Sequence, residues 1–534
     1  VDNMLGATLR RQSWGIGLLA LLLFIAGNWD HAIIGFDSRF VLFAQEMLRH
    51  GPGFFPSTYG QPYADYLSTS TLLTWLLSLP LGRVTSLSAW LPTAIASAVI
   101  VALVYRLTAP YSRRWALLSV ALLLLSSTFI SETRSVSLDQ MLAAVTLAVF
   151  YLGYAHDHFA SPRRLPWLLL LLLLGFAIRG PIGLVIPAGV LCSFYLLNRQ
   201  WRPLFSFGLL ALALLVACIG LLLLLAKVSG GEAFMQDVIR MQFLGRMDGR
   251  EGSSSVLYYF TSSLGNYALA YPLALLALLA VLLNGRRMSD SGWQLLLGCT
   301  AAGLIVMLGL SIPEAKKARY LLPMMPMVAI IAAYPFHPAD GRLFKALRGL
   351  MLALWAVSPG LLMGALVVAR HRFGAQLEHF QGVVGLLIGL QVVVAGMLLK
   401  WHWRPVGPAF CAVLAVWSVY ILVVEPLERR LYDTRTFARE AHALIRQHPA
   451  PLVLHGLGKD AKAIKFMVNV ECDRVPLFTQ APGDLAAVPV PAWLVMDKAD
   501  FMRLGEPRWH GMTPVLTGQF DKNTYVLLHL GTGD

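Results

Sequence analysis

Apolar residues run along this chain in long blocks broken by short polar stretches. A bilayer crossing needs roughly 20 such residues. The blocks predict helices at 13–29, 87–107, 114–131, 138–156, 165–178, 181–198, 204–226, 263–284, 292–312, 318–336, 346–369, 378–399 and 405–424, about 13 crossings. The run 165–198 is divided at Arg179-Gly180-Pro181, because glycine and proline end helices and an arginine is costly in mid-bilayer. In segment 38–50, Phe40, Phe43, Ala44, Met47 and Leu48 recur at helical spacing, which predicts an amphipathic helix on the membrane surface. Segment 69–82 is apolar but short, and reads as re-entrant or interfacial. From about residue 430 the apolar runs shorten and charges become frequent. There Thr434 to Gln447 reads as a helix, and Leu452–His455, Trp493–Met496, Pro514–Leu516 and Thr524–Leu530 read as strands. The expected fold class is an all-α polytopic membrane protein with a small C-terminal α/β extracytoplasmic domain. The expected domains are 1–429, with outer loops 30–86 and 227–262, and 430–534.

Composition agrees with the pattern. Of the 534 residues 57% are hydrophobic and 13% charged, with a mean hydropathy of +0.64. A soluble domain is about one quarter charged, so this chain has too little polar surface to be dissolved by water alone. The formal charge of +14 does not indicate nucleic acid, because the basic residues stand in small groups between apolar runs. With the N-terminus inside, alternate loops carry Arg10-Arg11, Arg113-Arg114, Arg163-Arg164, Arg199 with Arg202, Arg286-Arg287, Arg342 with Lys345 and Arg348, and Lys400 with Arg404. That is the positive-inside pattern, and it puts the C-terminus outside. The five cysteines show no metal-ligand or redox spacing.

On this topology Asp37, Arg39, Asp65, Asp139, Arg179, Lys316, Lys317 and Arg319 all reach the outer face, from loops far apart in sequence. Ionisable residues at a membrane face are functional candidates. A carboxylate can act as general base on a hydroxyl, and arginine or lysine can hold a phosphate leaving group. Each residue also has a plainer reading. Asp37 stands where it could cap the helix 38–50, Asp139 where it could cap or complement the helix 138–156. Asp65 could be an ordinary loop acid. Lys316-Lys317-Ala318-Arg319 could be a headgroup anchor, although its place outside runs against the positive-inside trend.

Five ordered segments carry a resemblance: Asp37-Ser38-Arg39-Phe40 with Glu46-Met47-Leu48; Tyr63-Ala64-Asp65-Tyr66; Arg134 to Asp139 with Gln140-Met141-Leu142; Arg179-Gly180-Pro181-Ile182-Gly183-Leu184; and Lys317-Ala318-Arg319-Tyr320 through Pro323 to Pro326. In these the chain resembles the bacterial lipid A aminoarabinose transferases and the wider protein O-mannosyltransferase-like group of the C-type glycosyltransferase superfamily. Two segments depart from the family pattern. Phe36-Asp37 stands where the family has two acids, and Tyr66-Leu67-Ser68 where it has Lys-Pro-Pro.

The resemblance implies the C-type glycosyltransferase fold and inverting transfer of a sugar from a polyprenyl-phosphate donor to a lipid, glycan or protein acceptor. It places that transfer at the periplasmic face of the bacterial inner membrane, in the manner of lipid A modification. It implies Asp37 and Asp139 as catalytic carboxylates, and Arg39, Arg179, Lys316, Lys317 and Arg319 around the donor phosphate. Asp65, Tyr63 and Tyr320 would meet sugar or acceptor, and Asp65 is the candidate ligand should a divalent cation take part. Two rivals remain at this point: a transporter or flippase of lipid-linked precursors, which should show paired broken helices, and a non-catalytic membrane protein whose outer domain binds envelope partners.

Overall fold

The computed structural model describes residues 2–162, 164–244, 255–283, 291–337, 341–374, 377–400, 404–504, 509 and 511–531. Arg163, Arg286 and Arg287 lie outside the described residues, as does part of the expected outer loop 227–262. The chain folds as two compact units. One comprises Val1–Gly27, Ala64–Thr69 and Trp90–Val423; the other comprises Asn28–Tyr63, Ser70–Ala89 and Val424–Asp534.

The first unit is helical, and its helices follow the apolar blocks. Among the described residues eight helices are long and apolar enough to cross a membrane, or ten if each of two bent pairs is one span. The bent pairs are Arg113–Leu124 with Ser127–Thr133, at 71°, and Tyr258–Asn266 with Ala270–Leu283, at 113°. The other three expected crossings are helices too: Asp2–Ile25, Leu165–Arg179 and Pro181–Leu197. The last two have 15 and 17 residues, short of a straight crossing, and by length and composition the described residues give eight to ten spans, which does not confirm the expected count of thirteen. Helices Leu138–His158 and Ala318–Phe336 are mostly buried within the protein, whereas Arg342–Phe373 and Phe380–Leu399 expose most of their apolar surface. An all-apolar helix left uncovered by protein is one that faces lipid.

One helix differs from expectation. Trp201–Gln242 runs on past the expected end at 226, turning at Gly231, whose φ of 77° only glycine adopts readily. Leu165–Arg179 and Pro181–Leu197 part at the predicted break, where Gly180 has a φ of 67°. They cross so closely that a Cβ on Gly175 or Gly183 would collide with the other's carbonyl oxygen.

The second unit holds the small α/β fold. Its outer-loop part carries a two-residue hairpin, β1 (Ser57–Thr58) with β2 (Gln61–Pro62), and the helix Ser38–His50. Its C-terminal part is a five-stranded sheet of β3 (Leu452–His455), β4 (Leu477–Thr479), β5 (Ala492–Asp497), β6 (Leu516–Phe520) and β7 (Asn523–Leu530), in the order β4-β3-β5-β7-β6. β4, β3 and β5 are parallel, and β5, β7 and β6 antiparallel. Val453, Leu494, Met496, Val526, Leu528 and Trp509 pack one core.

The expected strand Pro514–Leu516 is displaced to Leu516–Phe520, since proline has no N–H for a ladder. The helix Ser38–His50 forms as expected, but not as a surface element. Ser38 and the unbroken run Phe40–Met47 are all buried. A helix lying on lipid would bury one face only; this one packs against helix Lys462–Val470 instead.

Candidate active site

In the first unit the site begins with a helix start. Ser137 caps Leu138–His158, its hydroxyl accepting from the Gln140 amide at 3.2 Å, and its own amide donates to Thr93 Oγ1. Gln140 Nε2 donates to Ser97 Oγ at 2.9 Å and Thr133 Oγ1 at 3.2 Å. With capping done by Ser137, the Asp139 carboxylate is left for other partners. It takes two arginines. Arg179 Nε donates to Oδ1 at 3.0 Å, and Arg319 Nε lies 3.2 Å from Oδ2. Asp139 and Arg179 are 6% and 8% exposed, so the pair sits away from water.

Arg179 is aimed by local geometry. It ends its helix, and Gly180 turns the chain back at a φ open to glycine. Its guanidinium carbon lies 5.4 Å from the Tyr320 ring centre and 5.9 Å from that of Tyr66, within the ~6 Å of cation–π attraction. Arg319 lies 6.0 Å from Tyr320. Asp65 contributes to the field at Arg179. Its segment is held at Ala64, whose carbonyl accepts from Gln242 Nε2 at 3.0 Å, and at Thr69, whose hydroxyl donates to the Ala177 carbonyl. Lys316 and Lys317 directly precede the 3-10 helix Ala318–Met324, which carries Arg319, and Lys317 is in extended backbone at its start. Asp139, Arg179 and Tyr320 line a small cleft together with the apolar side chains of Leu142, Ile182, Ile186 and Leu310.

Of the sequence candidates, Asp65, Asp139, Arg179, Lys316, Lys317, Arg319 and Tyr320 belong to this unit. Tyr66 and Gln242 are additions. Tyr66 could have been found as the aromatic beside Asp65, whereas nothing in the pattern around Gln242 marks it.

Asp37, Arg39 and Tyr63 belong to the second unit. Asp37 is 7% exposed and directly precedes Ser38–His50. Its carbonyl accepts from the Phe40 and Val41 amides, but its carboxylate makes no capping hydrogen bond, so the capping reading fails. Arg39 lies between two rings, 4.8 Å from the centre of Phe36 and 5.3 Å from that of Tyr63. Tyr63 also packs against Phe43. Among the described residues no three His, Cys, Asp or Glu side chains group as metal ligands.

Comparison with solved structures decides the architecture. The crystal structure of ArnT from Cupriavidus metallidurans in the apo state covers 97% of this chain and 98% of its own, with a TM-score of 0.71 at 16% identity. The structure of the same protein bound to undecaprenyl phosphate covers 98% and 99%, with a TM-score of 0.69. This chain has the ArnT fold. At that identity the likeness speaks for the fold alone. Sequence comparison adds to it. Residues 70–226 match the family described as dolichyl-phosphate-mannose-protein mannosyltransferase. A Pseudomonas aeruginosa protein named undecaprenyl phosphate-alpha-4-amino-4-deoxy-L-arabinose arabinosyl transferase is 31% identical over 230 residues. That match takes in 39% of this chain and spans 40% of the relative's length. These findings agree with the resemblance read from the five segments and with a C-type glycosyltransferase. The site just described, with Asp139 and Arg179, is therefore built on an ArnT fold.

Proposed function

We propose that this chain is a membrane glycosyltransferase that moves a sugar from a polyprenyl-phosphate donor to a lipid, glycan or protein acceptor. The observation that carries the proposal is the Asp139 carboxylate held by Arg179 and Arg319, two cations brought together from distant helices beside an apolar cleft. The likeness to sugar transferases supports this reading and disfavours the transporter. The reaction is placed at the periplasmic face of a bacterial inner membrane, with the N-terminus cytoplasmic and the C-terminal domain outside.

In this reading Arg179 and Arg319 bind the donor phosphate, with Lys316 and Lys317 adding to the positive field. Asp139 orients the two guanidiniums, because both its oxygens already face them. The Asp37 carboxylate is the base that takes the acceptor hydroxyl's proton. The acceptor oxygen attacks the anomeric carbon, the bond from that carbon to the phosphate oxygen breaks, and polyprenyl phosphate leaves with the electron pair. Guanidiniums on that phosphate stabilise the charge as it develops. Arg39, Tyr63 and Tyr320 are assigned to donor or acceptor contacts.

The test is transfer from a polyprenyl-phosphate sugar by protein in lipid nanodiscs, followed by mass spectrometry. Arg179→Gln and Arg319→Gln should each lower transfer on the order of 100-fold. Wild-type rates in both would overturn the phosphate assignment.

A further inference from the structure

The outer-loop segment that carries Asp37 has little structure of its own. Between 28 and 63 it holds one helix of 13 residues and a hairpin of two-residue strands. Isolated helices of that length are marginal in water. Something else must hold Asp37 still, and within the second unit that something is the C-terminal domain.

Two contacts flank Asp37 in sequence, and both end on one element, the helix Lys462–Val470. Downstream, buried Gln45 donates from Nε2 to the Val468 carbonyl at 2.9 Å. Val468 lies in the last turn of its helix, where carbonyls lack an intrahelical partner. Gln45 thus supplies a bond the helix end needs. Upstream, Thr434 Oγ1 donates to the Ile33 carbonyl at 3.4 Å, and Asn469 Nδ2 donates to the Thr434 carbonyl at 3.0 Å. Asn469 also donates to Lys465 of its own helix, so Thr434 is tied to that helix. Arg435 adds a third tether, donating to the carbonyls of Asp30 at 3.1 Å and His31 at 2.8 Å. Loop and domain are some 400 residues apart in sequence, as the separation of 423 for the Gln45 bond shows.

We propose that the C-terminal α/β domain positions the catalytic base, Asp37. Gln45 and Asn469 are positioning residues that clamp the chain on either side of Asp37. This rests on the reading of Asp37 as the base acting on the acceptor. It gives the C-terminal domain a part in turnover that needs no ligand of its own. Displacement of a reacting group by about 1 Å can lower a rate 100-fold, so a loose clamp would be felt in kcat while donor affinity stays as it was.

The experiment uses the full chain in nanodiscs, with Gln45→Met, Asn469→Leu, their combination, and Asp37→Asn. The first two keep volume and remove a donor. Amide exchange at Phe40 and Val41 reads the clamp directly, because both donate to the Asp37 carbonyl. In the combined variant exchange there should rise at least tenfold, while Leu494 in β5 stays protected. Turnover of undecaprenyl-phosphate 4-amino-4-deoxy-L-arabinose, as donor probe, should show kcat down about tenfold with KM unchanged. In the Asp37→Asn background the clamp variants should add nothing. Unchanged exchange at Phe40 and Val41 overturns the proposal, as does a fall in activity carried by KM alone. Full turnover by Asp37→Asn would remove the base assignment instead, and the exchange measurement would still judge the clamp.

Discussion

Asp139 is the residue on which the site turns, and its surroundings decide its chemistry. Both oxygens face guanidinium groups, so it is poorly placed to take a proton from a substrate. Breaking a buried pair by removing one partner leaves uncompensated charge, roughly 3–5 kcal/mol. Asp139→Ala should therefore lower the melting temperature markedly. Asp139→Asn keeps the shape and should lose donor affinity more than stability. If Asp139→Asn binds and turns over donor like wild type, its orienting role is wrong. Glu46 offers a second residue-scale test. Burial raises its carboxyl above the usual range, against the pull of Arg49 and His50. A pKa raised by folding means a contribution that is whole below the unfolded value, near 4.5, and lost as pH climbs through the folded one. Glu46→Gln should raise the melting temperature at pH 7 more than at pH 4 and flatten the profile between them. An equal shift at both pH values would count against it.

At the scale of elements, the hairpin Leu165–Arg179 and Pro181–Leu197 depends on two backbones touching. Gly175 and Gly183 permit that, as small residues do where membrane helices meet. Any side chain there must push the helices apart. Overpacking costs about 1–3 kcal/mol, so Gly183→Val should reduce folded yield and melting temperature, and should drag Arg179 from Asp139. A variant with unchanged melting temperature and transfer would refute this account of the hairpin. The break at 179–181 could be read in advance, because glycine and proline mark it in one dimension. The depth of the crossing could not, since it arises between residues eight positions apart on different arms. The same limit explains the helix Ser38–His50. Its period was readable, but the partner that buries its remaining faces lies more than 400 residues on. β4 was missed for another reason: three half-exposed residues make no pattern.

For the whole molecule, the apolar blocks and alternating basic loops were enough to read a polytopic helical protein with an α/β tail. Asp139, Arg179 and Arg319 were legible as charges on one face; that they form one cluster is a property of the packing. The topology expected from the basic loops carries its own prediction. Cysteines at 317 and 374 should be labelled from outside intact cells, and one at 345 only after permeabilisation. Labelling of 317 and 345 from the same side would refute it. The short arm ending at Arg179 reaches further than architecture. Its 15 residues rise about 22 Å, whereas the hydrocarbon core is ~30 Å thick. On the topology expected from the basic loops, which sets Arg164 at the inner headgroup level, the arm leaves its arginine beneath the outer headgroup plane unless the lipid dimples to meet it. On the proposed function the protein should then behave as a gauge of bilayer thickness, faster in vesicles of fourteen-carbon than of eighteen-carbon acyl chains, and equal rates in the two would show that the membrane does not have to yield.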